Sequence, residues 1–257
     1  MSALLRSETR KVFTVRLWWA LLLSSLALTA LSVAAQIASV NQRGGGGAAQ
    51  LTTASTQHAI FASGASGGIF ALIVGVVIIT TEYRHFTSRP TFLVEPRRVR
   101  VIEAKIVVSA AVGLLYAVAS AALTVAVAVP WLAARNVSIG WSSNDIVQVL
   151  LADCAVVAIY AVVGLGVGVL VQSQVAAIIG SLAYLFVLEP LTQIIPVVQN
   201  AYRFLPGAAA RALTQVGPRS SSGPDLLSAW QGGLLLLGWG LLFAALGAVL
   251  TTRRDVQ

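Results

Sequence analysis

Apolar residues dominate six stretches of the chain, at about 17–38, 58–80, 106–129, 147–171, 175–189 and 226–250. Runs of this kind let an α-helix cross the roughly 30 Å hydrocarbon layer, which takes about 20 residues at 1.5 Å of rise each. Ahead of the first run, Leu4, Leu5, Val12 and Val15 recur at helical spacing, with charges over much of the remaining surface. That pattern predicts a helix over residues 1–16 lying flat in the membrane interface. Trp18 and Trp19 open the first run, where interfacial aromatics belong. Basic residues before an apolar run followed by Ser32-Val33-Ala34 also resemble a secretory signal, but the run is too long for a typical signal core.

The breaks between runs carry their own information. Residues 41–58 are polar and contain four consecutive glycines, which predicts a flexible external loop. No Gly-Lys-Ser/Thr follows those glycines, so they do not form a nucleotide-binding loop. In the second run Gly67, Ala71 and Gly75 recur every four residues, a row that allows close helix packing within the chain or across a dimer; the alternative is filler on a lipid-facing helix. Pro130-Trp131 is expected to end the third run and Glu189-Pro190 the fifth. Asp153 falls in the outer half of the fourth run, where an acid is either functional or close enough to the interface to be wet. Residues 190–225 are broken by prolines into pieces too short to span, about 191–202 and 207–215, and predict short re-entrant or interfacial helices on the outer face. Glu189, Arg203 and Arg211 lie in or beside this stretch and are the candidates for an external gate.

Composition fixes the class. Of 257 residues, 57% are hydrophobic and 10% charged, against roughly 25% charged in soluble domains. The fold class is therefore an all-α membrane protein: one transmembrane domain over 1–257, with six helical spans. Twelve of the seventeen basic residues fall on the side of the two termini, which assigns both termini to the cytoplasm. The net charge of +8 thus reflects topology rather than nucleic-acid binding. A single cysteine, Cys154, allows no intrachain disulfide, and His58 and His85 cannot alone build a metal site.

Residues 81–105 hold the densest charge, with Arg84, Arg89, Arg97, Arg98, Arg100 and Lys105 among Glu82, Glu95 and Glu103. Pro90 and Pro96 bracket the apolar tetrapeptide Thr91-Phe92-Leu93-Val94. An apolar knob ringed by charge suits a partner protein's groove, with Phe92 and Leu93 as anchors and Glu82, Arg84, Glu95, Arg97 and Arg98 on the rim. It equally suits a juxtamembrane anchor dipping into lipid.

Four segments together resemble the membrane subunit of a type-2 ABC exporter: Ser7-Glu8-x-x-Lys11; Thr81-Glu82-Tyr83-Arg84-His85-x-Thr87; Pro96-Arg97-Arg98 with Ala104-Lys105; and Leu205-Pro206-Gly207-Ala208-Ala209-Ala210. Phe86-Thr87 stands where such sequences commonly have Gly-Thr. The resemblance implies a cytoplasmic coupling helix between spans 2 and 3 that docks on a separate ATPase, using Glu82, Tyr83, Arg84, His85 and the loop residues named above. It also implies a second permease subunit, identical or related, and a bacterial plasma (inner) membrane location. ATP and Mg would belong to the ATPase partner and no cofactor to this chain, which has no G-x-x-x-x-G-K-[ST] motif of its own. The alternatives are an ion-coupled secondary carrier, which needs ionisable groups near the midplane and finds only Asp153, and an intramembrane enzyme, for which no catalytic cluster is visible.

Overall fold

A computed structural model describes residues 2–42, 48–84, 98–194, 199–214 and 226–254. The described residues are helical with no strand, and six helices are long and apolar enough to cross a membrane. The protein is a multi-pass, all-α membrane protein. Its spans are Leu17–Val40, Ala54–Glu82, Arg100–Ala133, Ile146–Val171, Gln174–Thr192 and Ala229–Gly247, numbered 1 to 6 below. The end of the bundle where span 2 stops and span 3 starts is called proximal, and the other distal.

Span 4 is the hub, packed against spans 2, 3 and 6, with half of its residues buried. Lipid tails are as apolar as leucine, so helices in a bilayer associate through close packing rather than through hydrophobic burial. Small residues make that approach possible. A β-carbon on Gly75 of span 2 would overlap the Ala161 carbonyl of span 4, and one on Gly164 would overlap the Leu72 carbonyl in return.

The row Gly67, Ala71 and Gly75 is therefore used within the chain. Gly67 lies against the hydroxyls of Ser25, Thr29 and Ser120, and Ala71 is buried with Val112, Tyr116 and Val157. No part of it faces outward to a second copy.

Span 2 is not a uniform helix. Its α-helices Ala54–Ala62 and Gly68–Arg84 are joined by a 3-10 segment, Ser63–Gly67. Residues three apart eclipse in a 3-10 turn, so Gly64 and Gly67 share a face. That face receives hydroxyls from the neighbouring spans: Ser25 donates to the Gly67 carbonyl at 3.0 Å and Thr29 to Gly64 at 3.5 Å.

Three sequence expectations are corrected. Pro130 does not end span 3; the helix Arg98–Ala133 runs through it, with Ala128 and Leu132 fully buried on either side. A proline near a helix end loses one hydrogen bond, which packing in a membrane protein tolerates. Nor does Glu189-Pro190 end span 5. Helix Gln174–Ala183 passes into a π turn, Tyr184–Leu188, and continues as Glu189–Ile194. The Glu189 N–H bonds to the Tyr184 carbonyl five residues back, and this wider turn accommodates the proline that follows. Finally, the expected flexible loop over 41–58 contains a helix, Ala48–Leu51, with Leu51 fully buried against the distal core of Ile37, Ile60 and Phe61.

Gln57 locks that distal end. Its amide donates to Leu51 (3.1 Å) and Ser138 (3.0 Å), and its oxygen accepts from the Gly140 N–H (3.0 Å) and from Asn144 (2.9 Å). A fully buried amide with all its hydrogen-bonding capacity used is stable where an unsatisfied one would cost about 1–3 kcal/mol.

Replacing Gly164 by Leu should separate spans 2 and 4 and destabilise the protein by about 1–3 kcal/mol or more. Gly238→Leu, with nothing within 4 Å of its added β-carbon, should be neutral. Thermal unfolding in detergent checks both, and equal melting of Gly164→Leu and wild type would refute the close contact.

Candidate functional site

The N-terminal helix Ser2–Thr14 lies on the proximal end of spans 2 and 3, with Leu5 and Val12 packed on the core around Val74, Val108 and Tyr116. This seats Glu8 and Lys11 above the last turn of span 2 and the first turns of span 3. Four charged groups meet there. Lys11 Nζ lies 2.6 Å from Glu8 Oε1 and 2.8 Å from Glu82 Oε1. Lys105 Nζ lies 2.9 Å from Glu82 Oε1 and also contacts Glu8 Oε2. Each carboxylate therefore bridges both ammonium groups, and the set is neutral. These are the chain's only two lysines.

Burial gives the cluster its consequence. Lys105 is 1% exposed, Glu8 2% and Glu82 7%. An isolated charge at such a site would be prohibitive, so the pairing is a condition for the N-terminal helix and span 2 to meet span 3 at all. Lys11 alone reaches solvent. Burial disfavours its ammonium, but hydrogen bonds and charge from Glu8 and Glu82 outweigh this and hold its pKa above the ordinary lysine value of 10.5. Its contribution to stability is therefore complete below that value and is lost only as pH rises through the raised one. Beside the cluster, a cavity of about 300 Å³ opens between the N-terminal helix and spans 1 and 2, walled by Val12, Val15, Trp18, Val74 and Ile78. Tyr116 secures its floor by donating to the Trp18 carbonyl.

Glu82, expected on the exposed rim of a docking loop, is thus turned inward and bonded to both lysines. Tyr83 and Arg84 close the helix Gly68–Arg84, and Arg98 opens the helix Arg98–Ala133. His85, Phe92, Leu93, Glu95 and Arg97 lie outside the described residues. The role of Lys105 escaped sequence reasoning because its partners are remote: Glu8 is 97 positions away. A usable signal existed in the placement of both lysines near glutamates at span boundaries.

At the distal end the structure brings Glu189 and Arg211 together and leaves Arg203 apart. The Glu189 carboxylate is 4% exposed and sits on the N-terminus of the helix Pro206–Thr214. It accepts the Gly207 N–H at 3.1 Å and the Ala208 N–H, with Arg211 attracting it from the same helix. A carboxylate at a helix N-terminus satisfies otherwise unpaired donors and complements the dipole. Arg203 instead lies over the Phe204 ring, 4.8 Å from its centre. Asp153 is buried, at 4% exposure, and faces Gly64 and Thr124 with the Ala65 N–H directed to it; no side chain among the described residues bonds either oxygen.

Comparison of the sequence with protein-family models and with curated proteins gives no match.

Lys105→Met should leave an unbalanced buried negative charge and cost about 3–5 kcal/mol, and adding Glu8→Gln should recover part of that loss by restoring neutrality. Lys11→Met should cost less than Lys105→Met, because Lys11 is 43% exposed. Thermal unfolding of the four proteins in detergent checks the order; a Lys105→Met protein as stable as wild type would rule the cluster out.

Proposed function

We propose that this chain is the permease subunit of an ATP-driven exporter of the type-2 ABC class, set in a bacterial plasma membrane with both termini in the cytoplasm. The observation that carries the reading is a convergence. Three of the segments that resemble the family, Ser7-Glu8-x-x-Lys11, Thr81-Glu82 and Ala104-Lys105, supply all four members of one buried charge cluster. Glu82 and Lys105 stand at the two ends of residues 81–105, the stretch expected to dock on the ATPase. A push on that stretch therefore reaches spans 2 and 3 together with the N-terminal helix, as one unit.

ATP and Mg are bound by the partner ATPase, which closes on nucleotide and presses the docking stretch; this chain contributes the lever and the membrane path. A second permease subunit, identical or related, completes the transporter. Span 5 leaves Val175, Ile179, Phe186 and Val187 exposed, so its apolar face is available to lipid or to that subunit. The transported molecule is amphipathic or hydrophobic and enters laterally from the inner leaflet, where the cavity beside the charge cluster offers apolar walls.

The decisive experiment is Phe92→Asp with Leu93→Asp. Two unpaired charges in a docking groove cost several kcal/mol, far beyond the ~1.4 kcal/mol that changes affinity tenfold. The wild-type chain purified from its own membranes should carry vanadate-sensitive ATP hydrolysis, and the double variant should insert normally but lose it. Arg97→Ala with Arg98→Ala should lose less, because exposed ion pairs contribute roughly 0–1 kcal/mol. ATP hydrolysis retained in the inserted double variant would end the docking role of this stretch.

A second reading, ion-coupled transport, is favoured by one observation: Asp153 is buried inside the membrane bundle, with no basic partner described beside it. Under the exporter reading, Asp153→Asn leaves ATP hydrolysis by the purified complex unchanged. A fall to background would put the carboxyl in the energy cycle and favour the rival.

A further inference from the structure

A second cavity, also of about 300 Å³, lies among spans 2, 4, 5 and 6. Its walls come from Leu72 of span 2, Val163 and Val167 of span 4, Ala177 and Leu185 of span 5, and Phe243 of span 6. Leu205 and Pro206 close its distal end. Such a volume is at the lower end of the range for small-molecule sites. None of the side chains lining it is charged. Glu189 and Arg211 lie within electrostatic range of Tyr160 on this wall but do not line it. An ion would shed its water against a mainly apolar surface, so the site favours a neutral ligand.

Four residues bring polar groups to the apolar wall: Tyr160, Ser181, Tyr184 and Trp239. Ser181 is 8% exposed, and among the described residues neither its Oγ nor the Tyr184 hydroxyl has a hydrogen-bonding partner. The Trp239 indole already donates to the Phe204 carbonyl at 2.9 Å. Buried hydroxyls without partners are uncommon and call for an explanation. Water supplies a poor one, since each buried water needs 2–4 polar partners and most of this cavity offers none. One hydroxyl or carbonyl group on an otherwise apolar molecule would satisfy both. Span 5 is also shaped around this point: its π turn begins at Tyr184, and Gly180 leaves open space where a β-carbon would stand.

We propose that this cavity is a binding site for an uncharged, mainly hydrophobic molecule carrying one hydroxyl or carbonyl, taken from the bilayer and oriented by Ser181 and Tyr184. The site lies within one chain and needs no ATPase, so it stands or falls separately from the exporter reading.

A medium-chain alcohol bearing a diazirine is the probe, photolysed on the full-length protein in lipid nanodiscs, with the labelled residues located by mass spectrometry. Labelling of 160–185 should saturate. Excess unlabelled alcohol should displace it, and an alkylammonium of the same length should not. Gly180→Phe fills the open space and should reduce labelling at least tenfold. Gly238→Phe, equally open but not on the cavity wall, should leave it unchanged. Ser181→Ala with Tyr184→Phe should abolish the preference for the alcohol over the corresponding alkane, and this pair decides the matter if Gly180→Phe does not fold. Labelling that fails to saturate, persists in Gly180→Phe, or is displaced equally by the alkylammonium would overturn the proposal.

Discussion

Charge inside a membrane protein must be neutralised where it stands, and the proximal end of this bundle is built around that requirement. Two lysines and two glutamates arrive from three separate helices. No single pair among them would do: Lys105 contacts both Glu8 and Glu82, and Lys11 closes the ring from the wetter side. Removing solvent from ions costs several kcal/mol each, and only a complete, well-placed set of partners offsets it. The cluster is thus less a source of stability than a condition of assembly. It specifies which turn of the N-terminal helix meets which turns of spans 2 and 3.

The rest of the bundle follows from a different constraint. Within lipid there is no water to drive apolar surfaces together, so contact must come from backbone proximity and from hydroxyls that find carbonyls. Gly75 and Gly164 bring spans 2 and 4 together from opposite sides of one interface. Ser109 of span 3 donates to the Ala161 carbonyl at 2.8 Å, on the same short stretch of span 4. Span 4 is held so closely that the neighbouring spans take their positions from it, while span 5 stays largely uncovered and carries a π turn. Spans 2, 3 and 4 are thus closely packed, and span 5 is the least covered of the six.

The charge cluster links the N-terminal helix to the helices flanking residues 85–97, and span 2 runs from there into its 3-10 segment beside the buried Asp153. At the distal end, Glu189 fastens the end of span 5 to the helix Pro206–Thr214, which packs on span 6. Spans 5 and 6 are therefore tied distally, and spans 2 and 3 proximally.

Hydropathy alone determined the class, the number of spans and their order, because a bilayer imposes a length and a polarity on whatever crosses it and leaves few alternatives. It also located the amphipathic N-terminal helix and the short helices before the last span. What it could not supply was anything that depends on partners far apart in the chain. Glu82 read as a surface contact, because nothing near it in sequence says that Lys105 and Lys11 will enclose it. The row Gly67, Ala71, Gly75 read as a packing face without saying for whom, and the fold spends it on spans 1, 3 and 4. Pro130 and Pro190 read as helix ends, yet tertiary packing and a π turn carried both helices through them. Glu189 stood out in the sequence as a charge beside the broken stretch; that it sits on the N-terminus of the helix Pro206–Thr214 depends on the fold. Local sequence sets what each segment can be; only the packed bundle, where a buried charge or a missing β-carbon must meet a particular neighbour, decides what each residue is for.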